Sequence, residues 1–252
     1  MQKKFKTLVI NLDSSTGRLE HCKQILGKQK IYFERISAVY GKSLSDEDLY
    51  RYYDKTLNIK QYHKSLNTGE IGCYLSHRKA WQKIIDDKLD FAVILEDDVV
   101  INGDFASAVQ AISELTIEWD YIKLSEHKRK RNTVWQQTIG NYELTVFDKI
   151  PTLACAQVVS LRGARKLLTC SERFGRPVDV DIQYWWKKNL QVFGLNPFIF
   201  SPANELPSDI HQQKTGKGYP SRRFDKLKQQ VKFKWANYRA TQVLLKHLEK
   251  KS

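Results

Sequence analysis

Three carboxylates stand in a row at Glu96-Asp97-Asp98, directly after the apolar run Phe91-Ala92-Val93-Ile94-Leu95. Like charges this close raise one another's pKa, and the end of a buried strand is partly desolvated, so the triplet is costly without a cation. Hard oxygen ligands suit Mg²⁺ or Mn²⁺, which one or two carboxylates commonly share with substrate phosphates. In an extended chain Glu96 and Asp98 point to one side and Asp97 to the other. The first and third residues are then the pair that can share a metal or nucleotide. A solvated turn, with Asp98 capping a helix, is the alternative reading of the same residues.

The elements around the triplet alternate in period. Residues 7–12 form a compact apolar run rich in β-branched side chains, which predicts a buried strand, a turn at 13–17 and a helix over 18–27. A second strand is expected over 31–36, and a surface helix over 46–53. Residues 69–87 carry Ile71, Leu75, Ala80 or Trp81, and Ile84/Ile85 at helical spacing. The uninterrupted apolarity of 91–95 predicts a strand buried on both faces, as in a parallel α/β sheet. Helices are expected over 105–115, 163–170 and 180–189. Strands are expected over 121–124 and 156–160, with a broken one over 192–200. Residues 128–131 read as an exposed basic loop, and 196–220, with four of the six prolines, as an extended loop. The fold class is therefore α/β with a mostly parallel sheet flanked by helices. Ligands in such sheets bind outside the carboxyl ends of strands, where the triplet lies.

Composition narrows the class. Of 252 residues 41% are hydrophobic and 12% aromatic, enough for a sizeable core. No apolar run approaches the roughly 20 residues of a membrane span. The basic start leads straight into strand-like sequence without a signal-peptide apolar region, giving an expectation of cytoplasmic location. Cys22, Cys73, Cys155 and Cys170 are widely spaced, which predicts reduced thiols. The net charge of +14 is uneven: residues 214–252 hold twelve Lys or Arg against two acids, ten of the fourteen net charges. The expected division is a near-neutral catalytic domain over 1–213 and a basic helical segment over 214–252. In that segment Leu227, Val231, Trp235, Tyr238, Leu245 and Leu248 recur at helical spacing among the bases. This suits an interfacial helix on an anionic membrane, peripheral on the inner face of the cytoplasmic membrane, or equally a stripe packed on the domain.

Two segments carry a resemblance. Gly69-Glu70-Ile71-Gly72-Cys73-Tyr74-Leu75-Ser76-His77, followed about twenty residues later by Val93-Ile94-Leu95-Glu96-Asp97-Asp98-Val99, resembles glycosyltransferase family 25. That family includes bacterial lipooligosaccharide galactosyltransferases and collagen galactosyltransferases. Val9-Ile10-Asn11-Leu12-Asp13 with Arg18, Ile36-Ser37-Ala38-Val39-Tyr40-Gly41, Gly163-Ala164-Arg165-Lys166-Leu167-Leu168 and Pro177-Val178-Asp179 fall in the family's order. The resemblance spans roughly residues 6 to 210. It implies a GT-A-like (Rossmann-like) fold in which the acidic motif binds a metal bridging the donor diphosphate. Glu96-Asp97-Asp98 departs from the usual Asp-x-Asp, leaving Asp98 the firmer ligand and Glu96 a metal or ribose contact.

The implied activity is inverting transfer of a hexose, galactose from UDP-galactose, to a lipooligosaccharide or other glycan acceptor. UDP-glucose or UDP-GlcNAc are the alternative donors. Such displacement needs a base for the acceptor hydroxyl and neutralisation of the departing diphosphate. Asp179 occupies the family's Pro-Val/Ile-Asp position and is the expected base; Asp181 is the reserve, and helix capping is the alternative for both. His77 is the further catalytic candidate, against a structural histidine. His211 is the expected third metal ligand, against an exposed loop histidine. Asn11, Asp13, Arg18, Glu70, Ser76, Glu96 and Asp97 are expected on the nucleotide side. Trp185-Trp186 offers a ring for a sugar face. A basic nucleic-acid-binding protein is the reading from another class, but the body is nearly neutral and holds no recognisable module, so no nucleic acid is expected.

Overall fold

The computed structural model describes residues 3–125, 131–203 and 223–250. The expected basic loop lies largely outside these residues, as does His211 with most of 196–220. In chain order the strands are β1 (Phe5–Asn11), β2 (Phe33–Ser37), β3 (Phe91–Glu96), β4 (Val99–Ile101), β5 (Tyr121–Lys123), β6 (Thr133–Ile139), β7 (Tyr142–Phe147), β8 (Ala156–Ser160), β9 (Val192–Asn196) and β10 (Phe200–Pro202). The helices are α1 (Thr16–Lys28), α2 (Asp46–Tyr52), α3 (Lys55–Gln61), α4 (Thr68–Asp86), α5 (Phe105–Ser113), α6 (Leu161–Cys170), α7 (Val178–Ile182) and α8 (Arg223–Glu249).

Eight strands form one sheet in the order β2-β1-β3-β8-β5-β9-β7-β6, with helices packed on it. β1 pairs in parallel with β2 and β3, the arrangement that β-α-β crossovers produce. The apolar runs fill the core: residues 91–95 are buried to a man, as are Leu8 and Val9. The expectation of a mostly parallel sheet is corrected. Strand β8 inserts antiparallel between β3 and β5, and the β6–β7 hairpin adds an antiparallel edge, so the sheet is mixed. The hairpin turns at Gly140, whose φ of 57° favours glycine. The helix expected over 180–189 is also two elements: α7 ends at Ile182, and a 3₁₀ turn runs Trp185–Lys188.

The first turn of α4 is drawn tight against residues 38–41. A Cβ on Gly72 would lie 2.5 Å from the Val39 carbonyl oxygen, and one on Gly41 would lie 1.8 Å from that of Thr68. Only glycine permits this approach, and it brings segment 38–41 over the carboxyl ends of β1 and β3.

Of the stripe that the sequence pattern picked out on α8, Leu248 packs on the body, but the rest of the buried face is made by other residues. Phe233, Asn237, Thr241, Leu244 and Leu248 are buried. Asn237 accepts from the Trp185 indole at 3.3 Å and donates to the Asp148 carbonyl. Leu227, Val231, Trp235 and Tyr238 stay 61–64% exposed. No helix among the described residues is long and apolar enough to cross a membrane.

Candidate active site

The carboxyl ends of β1 and β3, segment 38–41 and the first three turns of α4 enclose a cleft. Arg18, Ser76, His77 and all three acids of the triplet line it. Strand β3 ends at Glu96, and Asp97-Asp98 form the turn into β4. The expected strict alternation therefore stops one residue early. Glu96 is turned toward α4 and Asp97 toward β1 and α1.

Glu96 is held from above. His77, fully buried, places Nε2 3.0 Å from Glu96 Oε1, and its Nδ1 lies 2.9 Å from Gln157 Nε2. The Tyr121 hydroxyl donates to Gln157 Oε1, which orients the amide so that its NH₂ faces His77. Nδ1 must then accept, so Nε2 carries the proton and donates to Glu96. The Cys73 thiol, 3.9 Å from the same oxygen, completes a cluster whose ligand atoms lie within 4.8 Å of one another. Burial, with the Glu96 charge, pushes that thiol well above its ordinary range. The raised pKa favours the thiol form, which sits against the Glu96 carboxylate.

Asp97 is built into the wall. Asn11 donates to it at 2.7 Å and Arg18 reaches it at 3.1 Å, while burial still raises its pKa. Asp98 differs. Its Oδ1 is buried with no hydrogen-bond partner among the described residues. Burial, Glu96 and Asp97 push its pKa up to about 7. A buried oxygen with no donor among the described residues, under the charge of two other carboxylates, is what a divalent cation satisfies. The backbone N–H of Ala203, just after β10, fixes the turn by donating to the Asp98 carbonyl.

Asp179 and Asp181 sit together on α7 yet face opposite fates. Asp181 accepts from the Tyr74 hydroxyl at 2.7 Å, Lys188 at 2.9 Å and Arg176 at 3.2 Å. Burial works to raise its pKa, but the Lys188 and Arg176 charges outweigh it and hold the carboxyl below its usual range. Asp179 accepts from the N–H of Val180 and of Leu153, and burial raises its pKa with a contribution from Glu96. Lys123 opposes that rise. This lysine is 1% exposed in the middle of the sheet, its ammonium donating to the carbonyls of Thr152 and Leu153. Leu153, at φ 78°, thus links the lysine on one side to Asp179 on the other.

Several expected nucleotide contacts are engaged elsewhere. Asn11 lies beneath Asp97 and also serves the Ser15 carbonyl and Arg35. Asp13 pairs with Arg35 and the Ser37 hydroxyl, outside the cleft wall. Glu70 closes the capping box of α4 with Asn67 and pairs with Lys64 at 2.9 Å. Ser76 lines the cleft, but its hydroxyl latches Val39 N–H to the Gly72 carbonyl. Trp185 is buried and Trp186 lies 5.3 Å from Phe233, so neither ring stands open on the cleft. The sequence reading missed Lys123, Gln157 and Tyr121; the one available signal was a lysine and a glutamine inside otherwise apolar strands.

With this geometry in view, comparison with known proteins becomes specific. The model of glycosyltransferase family 25 (LPS biosynthesis protein) matches residues 4–182, a span that holds the triplet, His77, Asp179 and Asp181. The chain belongs to glycosyltransferase family 25. Procollagen galactosyltransferase 1-A of Xenopus laevis is 30% identical over 220 residues, covering 79% of this chain and 36% of its own. The inactive glycosyltransferase 25 family member 3 of Mus musculus is 26% identical over 79% of this chain and 37% of its own. The chain thus spans about a third of the length of these curated relatives. Among solved structures, a glycosyltransferase involved in glycosylating the major capsid of the virus PBCV-1 overlays 81% of this chain and 94% of its own, at 8% identity and a TM-score of 0.45.

Proposed function

We propose that this family 25 chain transfers galactose from UDP-galactose to a glycan hydroxyl, a lipooligosaccharide or related saccharide, with inversion at the anomeric carbon. The observation that carries the reading is the buried Asp98 oxygen that has no hydrogen-bond partner among the described residues and lines the cleft with Glu96. Asp98, with Glu96, would hold Mn²⁺ or Mg²⁺; when bound, such an ion neutralises charge on the departing diphosphate. Arg18 lines the same cleft and adds a fixed positive charge on the donor side.

Asp179 is the base in this reading. It removes the acceptor hydroxyl proton as that oxygen bonds to the anomeric carbon and the bond to the diphosphate oxygen breaks. Burial gives it a raised pKa, which strengthens it as a proton acceptor, and the Lys123 charge opposes that rise. Asp181 is unsuited, since its oxygens already bind two cations and a phenol. His77 donates to Glu96 and keeps that carboxylate aimed into the cleft. For Asp179→Asn the expected result is a fall in transfer of about 10²–10⁴-fold with UDP binding retained. Transfer within a few-fold of wild type would remove Asp179 from the role.

The outward face of α8 supports peripheral membrane attachment. Leu227, Val231, Trp235 and Tyr238 form an exposed stripe flanked by Lys228, Lys232, Lys234 and Arg239, complementary to an anionic leaflet.

A further inference from the structure

Cys73 and His77 stand four residues apart on α4, so both side chains leave the same face of the helix. That face meets Glu96, the last residue of β3. His77 Nε2 and Cys73 Sγ converge on one oxygen, Glu96 Oε1, at 3.0 and 3.9 Å. The three ligand atoms lie within 4.8 Å of one another, and all three residues line the acidic cleft, which gives a cation its way in.

A thiol, an imidazole and a carboxylate are a different ligand set from Asp98 with Glu96. Sulfur and imidazole are donors that Zn²⁺ prefers and that Mg²⁺ or Mn²⁺ does not. Tetrahedral zinc spaces such ligand atoms roughly 3.3–3.5 Å apart, as its bond lengths require. The two observed distances to Oε1 bracket that spacing, so small side-chain adjustments bring the atoms onto one ion. The layer behind them also suits a metal. Gln157 holds His77 Nδ1 at 2.9 Å and is itself bonded to the Tyr121 hydroxyl. When the amide turns over, Oε1 accepts from Nδ1–H and the NH₂ donates to the phenol oxygen. Both contacts are kept with donor and acceptor exchanged, and Nε2 is freed for an ion.

We infer that Cys73, His77 and Glu96 form a second metal site in the cleft, one that takes a thiophilic cation of the Zn²⁺ class. As the sulfur–metal bond forms, the thiol proton leaves to solvent and the imidazole proton passes from Nε2 to Nδ1. Glu96 belongs to both ligand sets, and two dications on one carboxylate repel, so each ion weakens the binding of the other. That antagonism rests on the proposed Asp98 site; the thiophilic site does not.

The test is titration of the full chain with Co²⁺, under a phosphine reductant, followed by absorption. A thiolate ligand gives Co²⁺ a near-ultraviolet charge-transfer band, which oxygen ligands alone do not. Wild type is expected to show the band and to lose it to Zn²⁺, the tighter binder. The Zn²⁺-loaded chain should bind Mn²⁺ about fivefold or more weakly than the free chain. Cys73→Ser should abolish the band and weaken Zn²⁺ by about tenfold or more, with Mn²⁺ affinity kept. Asp98→Asn should do the reverse, keeping the band and losing Mn²⁺. No band in wild type overturns the inference, and that result needs no variant to fold. So does a band kept in Cys73→Ser, which would place Co²⁺ on another cysteine. Zn²⁺ affinity lost in Asp98→Asn but kept in Cys73→Ser also overturns it, assigning zinc to the carboxylates. A band that depends on Cys73 in a chain that binds no Mn²⁺ supports the thiophilic site and removes the proposed Asp98 site, so the two failures are distinguishable.

Discussion

As the proposed metal ligand, Asp98 would contribute in opposite ways to stability and to ligand binding. Its carboxyl, raised to about 7 by burial and by Glu96 and Asp97, binds a proton in the folded protein over a pH range where the unfolded chain has lost it. A raised acid therefore costs stability as pH climbs from about 4 through 7. In EDTA, urea denaturation should show wild type losing about 1–4 kcal/mol between pH 4 and 8, and Asp98→Asn losing distinctly less. Identical pH slopes would mean that Asp98 is not strained by its neighbours. Binding of a divalent ion should reverse the order, stabilising wild type and not the variant. The triplet and its place after a buried strand were legible in the sequence because like charges in a row are conspicuous. The orphaned oxygen was not, since it depends on where the β3–β4 turn falls. Nor was the partner of Asn11, which arrives from Asp97 through the fold.

At the scale of elements, α7 separates two carboxylates that the sequence left as alternatives. Two residues apart, and so on opposite sides of the helix, Asp181 enters a buried network with Arg176, Lys188 and Tyr74, while Asp179 feels the charge of Glu96. Asp181→Asn strands two buried cations and should destabilise the protein by about 3–5 kcal/mol in denaturant titration. Asp179→Asn should change the unfolding free energy by no more than about 1 kcal/mol. A reversal of these two outcomes would interchange the roles. The apolar strands, α4 and α6 were readable from uninterrupted apolarity and helical spacing. The β6–β7 hairpin escaped because β6 is largely solvent-facing, with Gln136 and Gln137 inside it. The antiparallel insertion of β8 likewise leaves no local mark, since a buried strand reads the same in either direction.

For the whole molecule, α8 presents two apolar faces with different surroundings. The buried face of Phe233, Leu244 and Leu248 fixes the helix to the body; the outward stripe meets solvent. The sequence showed a helix with apolar spacing, yet it could not say which stripe packs, because α8 carries two of them. If the outward stripe docks on membranes, Leu227→Ser/Trp235→Ser should reduce co-sedimentation with phosphatidylglycerol vesicles at least fivefold without changing the thermal midpoint. Unchanged co-sedimentation would leave the stripe without that role. Salt should weaken binding of the wild type, because the flanking lysines and arginines act through screened charge.

The relatives of this chain include both galactosyltransferases and inactive family members, so turnover of the donor is the deciding observation. The measurement is UDP-galactose hydrolysis by wild type and Asp98→Ala, each with Mn²⁺, with Mg²⁺ and with EDTA. The account predicts metal-dependent hydrolysis by wild type, abolished by EDTA and reduced at least a hundredfold in Asp98→Ala. Hydrolysis that ignores EDTA, an Asp98→Ala enzyme of full activity, or UDP bound without any turnover would contradict it.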